Sequence, residues 1–194
     1  SKNDWRGLHN LDEIVHSYNP ASAWIQNCNS TAFTVAGPSS PLRANYPVYM
    51  APDGENFRDR NAVRLFSQTS KLDLSGLIGL GYDRRLMAFE VLIPSLLEAI
   101  AGEADLQEVA NELKKWDYNA SVTSIAQTIA VRWGLKIMPK MTKTKQFGGE
   151  TDVVQNMEIY AKTGSREEMR QALRAVMKEL ESDFGTWRVA WGDL

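Results

Sequence analysis

Residues 24–31 read Trp24-Ile25-Gln26-Asn27-Cys28-Asn29-Ser30-Thr31 and are entered through Asn19-Pro20. Trp24, Ile25 and Cys28 suit a strand, and the run predicts a short strand over residues 24–28. On strand alternation Asn27 and Asn29 project on the same side as Ile25. Amides set into a run that would otherwise be buried must find hydrogen-bond partners. A carboxamide fixed there can donate N–H to an oxygen that becomes negative, as one half of an oxyanion hole. Asparagine beside serine and threonine more often satisfies a loop backbone, and the octet alone favours that use.

Upstream, Asn10-Leu11-Asp12-Glu13 can cap one short helical turn. Downstream, Phe33-Thr34-Val35 extends the strand or pairs with it. Residues 37–57 are rich in Pro, Ser, Asn and Gly, including Gly37-Pro38, Ser40-Pro41 and Pro52-Asp53-Gly54, and predict a long irregular segment. Loops of that length in a compact domain are more often binding or lid elements than connectors. After Phe57 the spacing turns helical. Ala62, Val63 and Phe66 share a face, and Asp73 caps a short helix through Leu77, Ile78 and Leu80. Residues 86–100 carry a broad apolar stripe in which Pro94 is expected to bend or restart the helix. Residues 105–116 form another, with Leu106, Val109, Ala110 and Leu113 inward, and Ser121-Val122-Thr123-Ser124 opens a further one through Ile129 and Trp133. Residues 151–161 and 165–184 complete the set; the last starts on Ser165-Arg166-Glu167-Glu168 and stops at Gly185. The expected class is α+β and mainly helical. Residues 1–57 form a strand and long-loop segment, and residues 58–194 form a helical block.

The order of several motifs resembles the penicillin amidase (penicillin acylase) family of N-terminal nucleophile hydrolases, which includes lactone and lipopeptide acylases. Residues 19–33, NPASAWIQNCNSTAF, are similar to the family's W-I-x-N-x-N-S segment, and the match falls on Asn29. Arg60-Asn61-Ala62-Val63-Arg64-Leu65 is similar to its R-x-x-R-I helix start. Leu92-Ile93-Pro94-Ser95-Leu96-Leu97 is similar to its L-L-P-x-L-L, and Phe184-Gly185 with Trp191-Gly192 to its F-G … W-G. The resemblance implies a strand-bearing edge of a four-layer αββα core with helices packed outside it. It implies that Asn29 is the oxyanion asparagine and that Arg60 supports substrate or oxyanion, with Arg64 as the register alternative. An arginine suits that task because its planar fork carries several donors in fixed geometry. Read without the family, Arg60 is a first-turn helix arginine paired with Asp59 or a neighbouring acid.

The family's nucleophile is the first residue of a self-cleaved β chain, far upstream of the asparagine segment. The chain is therefore expected to be an interior piece of the β-chain region, with no nucleophile of its own and no turnover by itself. Ser1 begins the chain, but Ser1-Lys2-Asn3-Asp4 does not resemble the family's post-cleavage start. The expected partners are a small acyl amide substrate and the remainder of the same precursor, its α chain and β-chain N-terminus. Apolar faces left open favour self-association. Kinship places the parent in the periplasm or outside the cell. The alternative function is an inactive helical binding or scaffold domain of the same ancestry, using residues 37–57 as its contact surface.

Other chemistries find little support. The chain has 194 residues, 43% hydrophobic and 24% charged, with net charge −2, so one sizeable core is affordable and no basic field for nucleic acid exists. One cysteine, Cys28, excludes an internal disulfide, and packing is its expected role. His9 and His16 are the only histidines, and both are expected at the surface. No G-x-S-x-G elbow, H-E-x-x-H, EF-hand loop or phosphate-cradling glycine loop occurs, so no metal and no cofactor are expected. The lysines Lys140, Lys143 and Lys145 form a basic stretch that reads as a solvated loop.

Overall fold

The computed structural model describes residues 7–141 and 152–194, which fall into two compact units: Ser1–Lys71 with Lys145–Asp152, and Leu72–Thr144 with Val153–Leu194. The chain is mainly helical, as its sequence predicts. Among the described residues the one isolated pairing of β type is an antiparallel bridge between Arg85 and Asn119.

Among its described residues the first unit contains one α-helix, α1 (Phe57–Ser67). Asn56 starts it, its side chain accepting from the backbone N–H groups of Arg58 and Asp59, both at 3.0 Å. That satisfies two of the donors a helix start leaves open. Ahead of α1 the chain passes through short 3₁₀ turns at Leu11–Glu13, Ala32–Thr34, Gly37–Ser39 and Arg43–Asn45. Arg43 gathers the last stretch by donating to Val48 O at 2.7 Å and Met50 O at 2.5 Å while its guanidinium lies over the Phe33 ring. Trp24 stacks on Phe66 of α1, with ring centroids 5.4 Å apart. Gly37 lies against that indole at a left-handed φ of +56°, where an added Cβ would come within 3.1 Å of the ring.

The strand expected over residues 24–28 does not form. The run is extended and keeps the expected alternation, with Ile25, Asn27 and Asn29 outward and Gln26 buried. Its backbone is satisfied piecemeal, however. Gln26 N donates to Val35 O at 2.8 Å, and Asn56 Nδ2 takes Cys28 O and Asn29 O at 2.9 and 3.2 Å. Left-handed residues at Asn19, Ala23 and Asn29 break any ladder register. The first unit runs through α1 to Lys71, and Asn56 and Asp59 bond α1 to the preceding loop.

The second unit comprises α2 (Leu74–Gly81), α3 (Met87–Ala99), α4 (Gln107–Lys114), α5 (Ile125–Ile137), α6 (Val153–Thr163) and α7 (Arg166–Phe184). The sequence-read caps are in place. Asp73 accepts from Gly76 N at 2.7 Å, Ser124 from Gln127 N at 3.1 Å and Ser165 from Glu168 N at 3.3 Å. Gly185 ends α7 at φ 73°, the left-handed stop that glycine permits. The start expected at Thr151 lies outside the described residues. Pro94 sits inside α3, which continues through it as one helix because Leu92, Ile93 and Leu96 on either side are buried in the core.

α5 packs on α7, α3 on α6 and α7, and α4 on α3 and α5. The core between them is Leu92, Ile93 and Leu96, Leu113, Ile129 and Trp133, and Met169, Leu173, Val176 and Leu180. The last four recur at helical spacing on one face of α7. Of the polar groups inside, Ser95 Oγ donates to Ala161 O at 2.7 Å and Trp133 Nε1 to Met169 O at 3.1 Å, while Tyr160 Oη has no partner among the described residues. α2 differs, since Leu74, Leu77 and Ile78 are exposed.

Candidate active site

Asn29 stands at the tip of the extended run in a left-handed conformation, φ 55°, which asparagine tolerates better than most residues. Every group it offers but one is held. Its backbone N–H donates to Asn27 Oδ1 at 3.0 Å, and its carbonyl accepts from Asn56 Nδ2. Its side-chain Oδ1 accepts from Arg58 Nη2 at 3.2 Å. An arginine can only donate, so this contact sets which end of the carboxamide is oxygen. The Nδ2 hydrogens point elsewhere and have no acceptor among the described residues. Asn29 and Arg58 are both exposed, so a ligand could reach them.

Arg60 lies two residues beyond Arg58 on α1, and no hydrogen bond joins it to Asn29. Its Nε donates to Glu55 Oε2 at 2.7 Å, with both side chains about one-third exposed. That is the neighbouring-acid pairing which the helix position by itself suggests. Arg64 donates from Nε and Nη2 to Asn61 Oδ1 at 3.1 and 2.8 Å. Arg60 and Glu55 line a pocket of about 430 Å³ whose other walls are Phe33, Pro38 and Val63, with Thr34 and Asp59 in its lining.

Asp59 is the residue sequence reading missed. It has no exposed surface. Gln26 Nε2 donates to its Oδ1, and Thr34 Oγ1 donates to its Oδ2 at 2.8 Å. Burial pushes its carboxyl above the usual range, the Thr34 hydrogen bond pulls it back, and the nearby Glu55 charge raises it again; Ser30 and Gln26 lower it. Ser30 Oγ is buried without a hydrogen-bond partner among the described residues. The available signal was Asn56-Phe57-Arg58-Asp59, a cap followed by an acid in the first turn, which also marks a helix start.

The remaining candidates lie apart from this arrangement. His9 Nε2 is 2.7 Å from Tyr49 Oη, and His16 Nδ1 is 2.7 Å from Ile14 O; both histidines are exposed. Cys28 is half-buried. Ser1, Lys143 and Lys145 lie outside the described residues, while Lys140 pairs with Glu168 at 3.4 Å. No group of three or more His, Cys, Asp or Glu among the described residues could hold a metal ion. No helix among them is long and apolar enough to cross a membrane.

The first unit thus holds an exposed asparagine whose oxygen is bound by an arginine and a pocket of mixed polarity, and Asn29 is not among the residues that line that pocket. The penicillin amidase family model matches residues 1–194, the whole chain, and the chain belongs to that family. The family consists of N-terminal nucleophile hydrolases processed from a precursor with other chains, and its members are typically secreted or periplasmic.

Proposed function

We propose that the chain supplies the oxyanion and substrate-positioning groups of an acylase that cleaves a linear amide by N-terminal nucleophile acyl transfer. The observation that carries this reading is Asn29, whose oxygen is occupied by Arg58 and whose Nδ2 hydrogens remain available. The nucleophile, a terminal Ser, Cys or Thr, would come from the remainder of the precursor. It attacks the amide carbonyl carbon, the C=O π pair moves onto oxygen, and Asn29 Nδ2–H donates to the developing oxyanion. Arg58, bound to the oxygen end of the carboxamide, leaves the Nδ2 end for the oxyanion. Collapse of the intermediate restores C=O and breaks the C–N bond as the departing amine takes the proton that the nucleophile gave up to its own α-amine, and water then frees the acyl group from the nucleophile. Arg60, paired with Glu55 in the pocket wall, would hold polar groups of the substrate while Phe33, Pro38 and Val63 offer apolar contact. Export of the parent to the periplasm or beyond agrees with the habit of the family.

Kinetics of the full-length protein on phenylacetyl and long-chain acyl amides test this. Asn29→Ala should lower kcat by about 10²–10³-fold, the scale of losing one oxyanion donor, with a smaller change in KM. Asn29→Asp is the cleaner substitution, since it keeps an oxygen for Arg58 and tolerates the left-handed φ while removing the donor. Unchanged kinetics in both would return Asn29 to a loop-forming role, and a full-length protein inert toward every amide would favour an inactive binding domain.

A further inference from the structure

Asp59 lies in the wall of the pocket, but its side chain has no exposed surface and both carboxylate oxygens are held, so its role is exerted through its partners. Those partners are the two ends of one loop. Gln26 lies three residues before Asn29 and binds Oδ1; Thr34 lies five residues after it and binds Oδ2. Gln26 uses its second amide hydrogen on Thr34 O at 3.4 Å, and its backbone N–H meets Val35 O at 2.8 Å, so the ends are also joined to each other. At the tip, Asn56 from the same helix start holds Cys28 O and Asn29 O. Thr31 N closes the other limb on Gly54 O at 3.0 Å. The left-handed backbone at Asn29 persists only where its surroundings over-determine it, and here they do so from both ends and the tip.

We propose that Asp59 is a positioning residue for Asn29: its buried carboxylate clamps Gln26 and Thr34 and so fixes where the Asn29 carboxamide points. The inference rests on reading Asn29 as the oxyanion donor. Donor geometry is worth much in such a site, because a displacement of about 1 Å can cost on the order of 10²-fold in rate. A carboxamide introduced at position 59 can keep its oxygen toward Gln26 Nε2 and give an N–H to Thr34 Oγ1, since a hydroxyl accepts as well as donates. Asp59→Asn therefore conserves the clamp and Asp59→Ala removes it.

The test compares Asp59→Ala, Asp59→Asn, Thr34→Val, Asn29→Asp and the double variant Asp59→Ala/Asn29→Asp in the full-length protein, with the acyl amide it cleaves as probe. Asp59→Ala should lower kcat by about 10- to 10²-fold with KM within about twofold. Asp59→Asn should recover most of that loss. Thr34→Val, which removes one arm only and spares the helix, should fall between. The double variant should be no slower than Asn29→Asp alone, because the clamp acts through Asn29. Amide exchange should accelerate at Gln26 and Thr31 in Asp59→Ala. A normal kcat in Asp59→Ala, or losses that multiply in the double variant, would overturn the positioning role while leaving Asn29 in place. A silent Asn29→Asp would instead remove the oxyanion reading itself, and a KM effect alone would make Asp59 part of the substrate pocket.

Discussion

Among the described residues up to Lys71, the buried positions are Gln26, Thr31, Ala36 and Asp59; beyond it they include Leu96, Leu113, Ile129, Trp133, Met169, Leu173 and Leu180. Three of the first four are polar, whereas beyond Lys71 the buried polar positions Ser95, Gln127, Thr128 and Asn156 are far outnumbered by apolar ones. The first unit is organised by directional bonds from a few side chains, namely Asn56, Asp59, Gln26 and Arg43. The second is held by the non-directional burial of helix faces, at about 1.5–3 kcal/mol for each large side chain removed from water. Directional bonds set positions to fractions of an ångström, which an acyl-transfer site requires, but they contribute little net stability, about 0.5–1.5 kcal/mol each. The residues nearest the proposed chemistry thus lie where geometry is specified by hydrogen bonds.

This contrast predicts a hierarchy of effects. The largest belongs to Trp133→Ala, which empties a fully buried site on α5 and removes the donor to Met169 O; it should cost about 3–5 kcal/mol in chemical unfolding of the second unit. A loss under about 1 kcal/mol would mean that this core is not the source of the unit's stability. Next is Asn56→Ala, which removes the α1 cap and the tether to Cys28 and Asn29 together. It should cost about 1–2 kcal/mol in amide-exchange protection of α1, and leave α5 and α7 unchanged. Loss of protection in both units would break the comparison.

A third effect is a pH dependence confined to the first unit. Asp59 has a folded-state pKa above its unfolded value of 3.8, so its protonated form is favoured by folding. Its contribution is fully present below pH 3.8 and is lost as pH rises through the folded pKa. Exchange protection at Gln26 and Thr31 relative to Asp59→Asn should therefore decline with rising pH above 3.8, after correction for intrinsic exchange. The opposite slope would show that the hydrogen bonds outweigh burial. The smallest effect is expected for Arg174→Gln. Arg174 pairs at the surface with Glu103 and Asp105 at 2.6 and 2.8 Å, and those acids raise its pKa, but exposed pairs are screened. The shift in unfolding midpoint should be the least of the four and shrink further in molar salt.

The sequence alone determined the helical half and its limits. Ser124, Ser165 and Asp73 read as caps, Gly185 as a stop, and the apolar spacing of residues 106–113 as an inward face, because capping and amphipathic periodicity are local properties. It also set Asn29 on the same side as Ile25 and Asn27, since side-chain alternation follows from an extended backbone, but that this side faces solvent was decided by the fold. Whether an extended run becomes a strand depends on a partner for its backbone, and at residues 24–28 Val35 O and the side chain of Asn56, the cap of α1, took that place. Asp59 likewise reads as an ordinary first-turn acid. Its burial arises only when folding brings Gln26 and Thr34 to it across 33 and 25 residues of chain, a juxtaposition to which no local pattern corresponds. The partner of Arg58 was hidden for the same reason: Asn29 is 29 residues away, and only the tertiary fold brings the guanidinium to its oxygen.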